Sequence, residues 1–250
     1  MDGVDAREMI QMEPLGARTQ HVPLMLFPQV RRMLASRLAE YTLRLPKLYR
    51  AVQETTGSRV IVDSSKLPSY GYVLGMTPGV DLYVVHLVRD PRAIAYSWLR
   101  KKPQPDNDKL SNEHQLLHQQ PVSPVKRSLL WDAWNASAEA FWRGSSGRYM
   151  RLGYEDFMEE PRRAVEDILG MLGEDAHRLP FVGEREVELG GNHTLSGNLI
   201  RFQSGPVRLH LDDEWAHRMR LRDKTLVTLL TLPLLVRYGY PVVPSGRVCR

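Results

Sequence analysis

The feature that most constrains this chain is the run Leu82-Tyr-Val-Val-His-Leu-Val88, which passes without a break into Arg89-Asp90-Pro91. Seven mostly apolar residues, three of them valine, ended by a turn signal read as a buried parallel strand rather than a helix. Asp90 is suited to cap a following helix and Pro91 to open it at the first helical position, because Pro lacks the N–H that would otherwise go unpaired there. The helix is expected to run to about Lys101. Two more runs of the same kind, Arg59-Val-Ile-Val-Asp63 and Tyr149-Met-Arg-Leu152, predict two further strands. Helical spacing appears between them. It covers Leu26 to Leu45 up to an interruption at Pro46, then Lys47 to Thr56 closed by Gly57, a short stretch at Tyr72 to Met76, Ser128 to Trp142, and Pro161 to Leu172. Strands alternating with helices imply an α/β fold with a parallel sheet covered on both faces and a ligand site at the carboxyl ends of the strands.

At 250 residues and 42% hydrophobic composition the chain is expected to form a single domain, 1–250, with a buried core and no global disorder. Residues 1–25 are poorly patterned and unlike a signal peptide. Residues 102–124, rich in Pro, Asn, Gln and His, read as a long polar loop. The longest apolar run, Leu226 to Val236, is too short to span a bilayer, which needs about 20 residues, and reads as a buried helix. Cys249 is the only cysteine, which excludes an intrachain disulfide and a cysteine metal site and favours a reducing, cytoplasmic setting. The net charge of +5 suits an anionic ligand. No basic stripe with interleaved aromatics argues for nucleic acid, and no Gly-x-x-x-x-Gly-Lys-Ser/Thr loop argues for an ATPase or kinase. Nothing in the sequence sets the oligomeric state.

Four segments carry candidate chemistry. In Val88-Arg89-Asp90-Pro91-Arg92-Ala-Ile-Ala-Tyr96-Ser97 an Arg stands at a strand's end and a Ser two turns into the next helix, whose free N–H groups favour an anion. Asp63-Ser64-Ser65-Lys66-Leu67-Pro68 follows a strand-like run and offers a cation. Tyr154-Glu155-Asp156-Phe157 follows another, where the adjacent carboxylates suit a helix cap or an ion pair better than a catalytic couple. Gly191-Asn192-His193-Thr194-Leu195-Ser196-Gly197-Asn198-Leu-Ile-Arg201 is a Gly- and Asn-rich stretch ending in Arg, suited to anion binding through backbone N–H groups.

In this order, from about residue 47 to 240, the segments resemble the sulfotransferases that use 3′-phosphoadenosine-5′-phosphosulfate (PAPS), in particular the bacterial branch with an Asp-Ser-Ser-Lys segment. The resemblance implies a P-loop-like α/β/α three-layer domain that transfers a sulfuryl group from PAPS to a hydroxyl or amine of a small-molecule, glycan or lipid acceptor. It releases adenosine 3′,5′-bisphosphate (PAP) and needs no metal. The family's 3′-phosphate motif has an Arg and then a Ser eight residues later, which implies that role for Arg89 and Ser97. Tyr154 is implied near the adenine. Ser196, Gly197, Asn198 and Arg201 are implied around the nucleotide. Aligning on Leu67-Pro68 places Lys66 where another branch has its catalytic His, so Lys66 is implied to stabilise the bridging oxygen that leaves sulfur. For the general base, Asp63 and His193 remain as alternatives.

One departure accompanies the resemblance. The family opens with a strand and a loop like Gly-x-x-Arg-Ser-Gly-Thr-Thr that holds the 5′-phosphosulfate. Gly16-Ala-Arg18-Thr19 is only superficially similar. The expectation is a domain without its first strand and phosphate loop, slow or inactive with PAPS. The alternative is a non-catalytic relative that binds nucleotide or serves as an interaction protein.

Overall fold

The computed structural model describes residues 24–25, 27–64, 67–99, 122–190 and 204–243. Its elements in chain order are α1 (Pro28–Arg37), α2 (Ala39–Thr56), α3 (Pro68–Met76), β1 (Val84–Val88), α4 (Pro91–Leu99), α5 (Pro124–Trp142), β2 (Tyr149–Gly153), α6 (Tyr154–Glu159), α7 (Pro161–Leu172), β3 (Glu186–Leu189), β4 (Gly205–Arg208), α8 (Glu214–Arg218) and α9 (Leu221–Arg237). This is a mixed α/β fold with a parallel sheet and helices. The chain divides into two compact units, residues 1–84 with 133–149 and residues 85–132 with 150–250.

The first unit is helical. Leu34 and Leu38 from α1 and its end, Tyr41 and Leu45 from α2, and Val73 and Leu74 from α3 form its buried core. Helix α2 ends where Gly57 takes a left-handed conformation, φ 67°, which only glycine adopts without strain. Pro46, expected to interrupt, lies inside α2. A proline here removes one helical hydrogen bond, yet Leu45 on one side is buried and Tyr49 packs against the same core, so packing carries the helix through. Gly71 on α3 is required by packing. A Cβ there would stand 2.8 Å from the Trp142 ring.

The expected strand at Arg59–Asp63 does not form. The stretch has no ladder partner among the described residues, and Val62 is 88% exposed. A β-branched run is stable as a strand only when a neighbour satisfies its backbone.

The second unit holds the sheet. β1 and β2 are parallel hydrogen-bonded neighbours. β1 buries His86 and Val88, while Val85 and Leu87 on its other face are partly exposed. Val88 packs with Trp131, Leu235, Tyr238 and Tyr240. Helix α4 packs against α8 and α9 through Ala93, Ala95, Trp215, Met219 and Val227, all buried. The small residues Ala93 and Ala95 let these helices approach closely. Helix α7 runs from Pro161 to Leu172, as its apolar spacing predicts. Strands β3 and β4, not anticipated from the sequence, pair antiparallel with Val187 opposite Val207 and Leu189 opposite Gly205. They flank, in sequence, the Gly- and Asn-rich segment. No helix among the described residues is long and apolar enough to cross a membrane.

Candidate functional site

The site is built where β1 ends and α4 begins. Asp90 caps α4 as its position predicts. Its Oδ1 accepts the Arg92 backbone N–H at 2.8 Å, satisfying one of the orphan donors of the first turn. The same carboxylate receives Arg92 Nε at 2.9 Å and Nη2 at 2.6 Å. Both side chains are almost fully buried, at 1% and 0% exposure. Arg92 also lies over the Trp215 ring, 4.8 Å from its centroid. Two charges this deep are tolerated because they meet as a fork on a carboxylate. The Asp-Pro-Arg spacing carried a signal for this pair, an N-cap acid with a cation two residues on.

Arg89 points elsewhere. Its guanidinium stacks on Tyr154, 4.4 Å from the ring centroid. Nη2 donates to the backbone oxygen of Asp212 at 2.9 Å and lies 3.2 Å from Asp212 Oδ2. Its Nε is buried and has no hydrogen-bond partner among the described residues. A buried N–H of a cation without an acceptor is costly unless a ligand or water completes it. The structure therefore brings together two of the sequence-derived residues, Arg89 and Tyr154, which stand 65 positions apart in the chain.

Ser97 sits on α4 and donates its hydroxyl to Ile94 O at 2.8 Å, which leaves its lone pairs as acceptors. The neighbouring Tyr96 hydroxyl reaches Glu214 Oε1 at 3.3 Å. Asp63 belongs to the first unit, where its Oδ2 accepts the Tyr49 hydroxyl at 2.6 Å and Tyr49 in turn lies 3.3 Å from the Tyr70 hydroxyl. Burial, and then the hydrogen bond to Asp63, push the Tyr49 hydroxyl above the usual tyrosine range. Lys66, His193, Ser196, Gly197, Asn198 and Arg201 lie outside the described residues.

The backbone that carries Arg89 is held by residues the sequence did not single out for that task. Trp131 Nε1 donates to Arg89 O at 3.0 Å. The Tyr240 hydroxyl lies 2.7 Å from Glu155 Oε2 and 3.2 Å from Val88 O. Glu155 Oε1 accepts the Asp90 N–H at 3.2 Å. Among the described residues Glu155 pairs with no cation; its carboxylate is an acceptor for the turn between β1 and α4. Its carboxyl is raised above the usual range by burial, with the bonds from Tyr240 and Asp90 opposing the shift. Tyr240 carries no motif that could have marked it. Trp131 was legible only as a core residue.

A strand-end Arg over a tyrosine ring, beside a capped helix start, can hold a phosphate or sulfate through the guanidinium fork and the helix N–H groups. The stretch that builds it matches a known class: residues 78–189, a little under half of the chain, match the family model of the sulfotransferase domain. Arg89, Ser97, Tyr154 and Glu155 fall within that match. The fold is also that of a solved structure, the "Sulfotransferase Domain from the Curacin Biosynthetic Pathway", with a TM-score of 0.51 over 93% of this chain and 84% of that chain at 14% identity. No curated protein sequence matches the chain.

Proposed function

We propose that the chain is a PAPS-dependent sulfotransferase whose Arg89 reads the 3′-phosphate of the nucleotide. The observation that carries the reading is the Arg89 guanidinium, stacked on Tyr154 with a buried Nε that lacks an acceptor among the described residues. Such a group fits a phosphate oxygen, and the neighbouring ring offers a platform for a purine. PAPS supplies the sulfuryl group, which passes to an acceptor hydroxyl or amine while PAP departs. On this reading Arg89 and Ser97 hold the 3′-phosphate, and Tyr154, Ser196, Gly197, Asn198 and Arg201 surround the nucleotide. Lys66 stabilises charge on the leaving oxygen, and Asp63 or His193 takes the acceptor proton. The acceptor is a small molecule, a glycan or a lipid.

Two measurements test this. PAP should raise the melting temperature more than adenosine 5′-monophosphate does, because only PAP presents a 3′-phosphate to Arg89 and a ligand of the native state stabilises by mass action. Equal shifts would remove the 3′-phosphate assignment. Labelled sulfate should pass from PAPS to a hydroxyl acceptor from a mixed panel, and Lys66→Ala should remove most of that transfer. No transfer to any acceptor, with PAP still preferred, would leave a nucleotide-binding protein that is not a transferase.

A further inference from the structure

We infer that Tyr240, Glu155 and Trp131 are positioning residues that fix the direction in which Arg89 presents its guanidinium, and so set the preference for a 3′-phosphorylated nucleotide. The inference rests on the reading of Arg89 given above. It starts from the two peptide planes that flank the Arg89 Cα. Each plane is rigid, so the direction of the Cα–Cβ bond from which the side chain starts follows once both planes are fixed. The plane before Arg89 meets the Tyr240 hydroxyl at Val88 O, 3.2 Å away; the one proton of that hydroxyl is shared between Val88 O and Glu155 Oε2, which is nearer at 2.7 Å. The plane after it is held on both edges, at Arg89 O by Trp131 Nε1 at 3.0 Å and at the Asp90 N–H by Glu155 Oε1 at 3.2 Å. The backbone on either side of Arg89 is therefore tied to three different elements or segments of the second unit.

Glu155 is the junction of this arrangement. One oxygen receives Asp90 N–H and the other receives Tyr240, so its carboxylate links the second plane to the residue that holds the first. Its chain neighbour Tyr154 carries the ring on which the Arg89 guanidinium rests. The start of α6 thus fixes both ends of Arg89, the backbone through Glu155 and the guanidinium through Tyr154. A half-buried carboxylate bonded to a backbone N–H and a tyrosine, with no cation paired to it among the described residues, is a poor device for stability alone, since its desolvation opposes folding. Its value is geometric. A phosphate contact through a planar fork is lost when the fork turns, whereas the rest of a nucleotide does not depend on that angle.

Tyr240→Phe deletes one oxygen and leaves the ring in the core. The test titrates the full-length variant with PAP and, separately, with adenosine 5′-monophosphate by calorimetry, and takes the ratio of the two affinities. The ratio should fall about 5–10-fold from that of the parent chain while the affinity for the monophosphate stays within about twofold. A purely structural role would lower the melting temperature, or lower both affinities alike, and leave the ratio unmoved; that result overturns the inference. Glu155→Gln is the second variant should Tyr240→Phe fold poorly. Its amide keeps one acceptor where the carboxylate serves two donors, and the same fall in the ratio is expected. A parent chain with no preference for PAP removes the phosphate reading and this inference with it. A preference that survives both variants overturns the inference alone.

Discussion

Asp90 and Arg92 form a closed unit at the first turn of α4: one carboxylate caps the helix at the Arg92 N–H and receives two nitrogens of the same residue's guanidinium. Neither side chain reaches solvent appreciably. Arg92 and Arg89 stand three residues apart in sequence, yet their surroundings differ. Arg92 is sealed into the core between Asp90 and Trp215, whereas Arg89 is partly exposed and lies beside Asp212.

Removing Arg92 strands a buried carboxylate. Arg92→Ala should destabilise the chain by about 3–5 kcal/mol, or on the order of 10 °C in melting temperature for a protein of this size. The double variant Asp90→Asn, Arg92→Met removes both charges while Asn retains the cap, and should recover most of the loss. Thermal unfolding of the three chains measures this. A single variant that melts with the parent would show that the pair contributes nothing.

For Arg89 the expected signature is reversed. Its side chain is 21% exposed, and replacing it leaves no fully buried charge behind. Arg89→Ala should change stability by less than about 1 kcal/mol and weaken PAP binding by about 1.5–3 kcal/mol. Arg89→Lys keeps the charge and loses the fork, so its affinity should lie between the two. Calorimetric titration with PAP decides it. Normal binding together with easy unfolding would make Arg89 a structural residue.

Asp132 on α5 gives a pH-dependent expectation. Burial pushes its carboxyl up to about 6, and its Oδ1 has no hydrogen-bond partner among the described residues. A carboxyl whose folded pKa is raised binds its proton more tightly in the native state than in the unfolded chain. Stability therefore declines as pH rises from about 4 to about 6, and the cost is fully present above that window. Asp132→Asn abolishes the charge. It should raise stability at pH 7 by about 1 kcal/mol, a figure reduced for the solvent that still reaches the group, and should change little at pH 4. Denaturant unfolding at both pH values checks this. An equal effect at both would assign the change to shape rather than charge.

Much of the site's frame was legible in the sequence because it is local. Val88 to Pro91 encodes strand, turn, cap and helix start within four residues, and Pro161 to Leu172 encodes its helix by apolar period. Gly57 marked its helix end by the same local rule. What failed needed neighbours. Arg59 to Asp63 has the composition of a strand, but composition cannot supply the ladder partner that a strand requires. Pro46 obeys a rule that tertiary packing overrode. Strands β3 and β4 are four residues each and alternate too briefly to stand out. The Arg89–Tyr154 stack joins two segments whose resemblance to one family brought both to notice, whereas Tyr240, without a motif, was invisible until the chain was folded.

The ties around Arg89 also order events in time. Its partner Trp131 is 42 residues downstream, Glu155 is 65 positions from Asp90, Asp212 is 123 from Arg89, and Tyr240 is 152 from Val88. Contacts so distant along the chain close late, because the intervening loop must be ordered first. During synthesis the Arg-Asp-Pro turn emerges long before the residue that completes its support. A nascent chain paused ahead of Tyr240 would carry its strand, its capped helix and its arginine, and still lack a fixed direction for that arginine. The support around Arg89 is then complete only once Tyr240 has emerged.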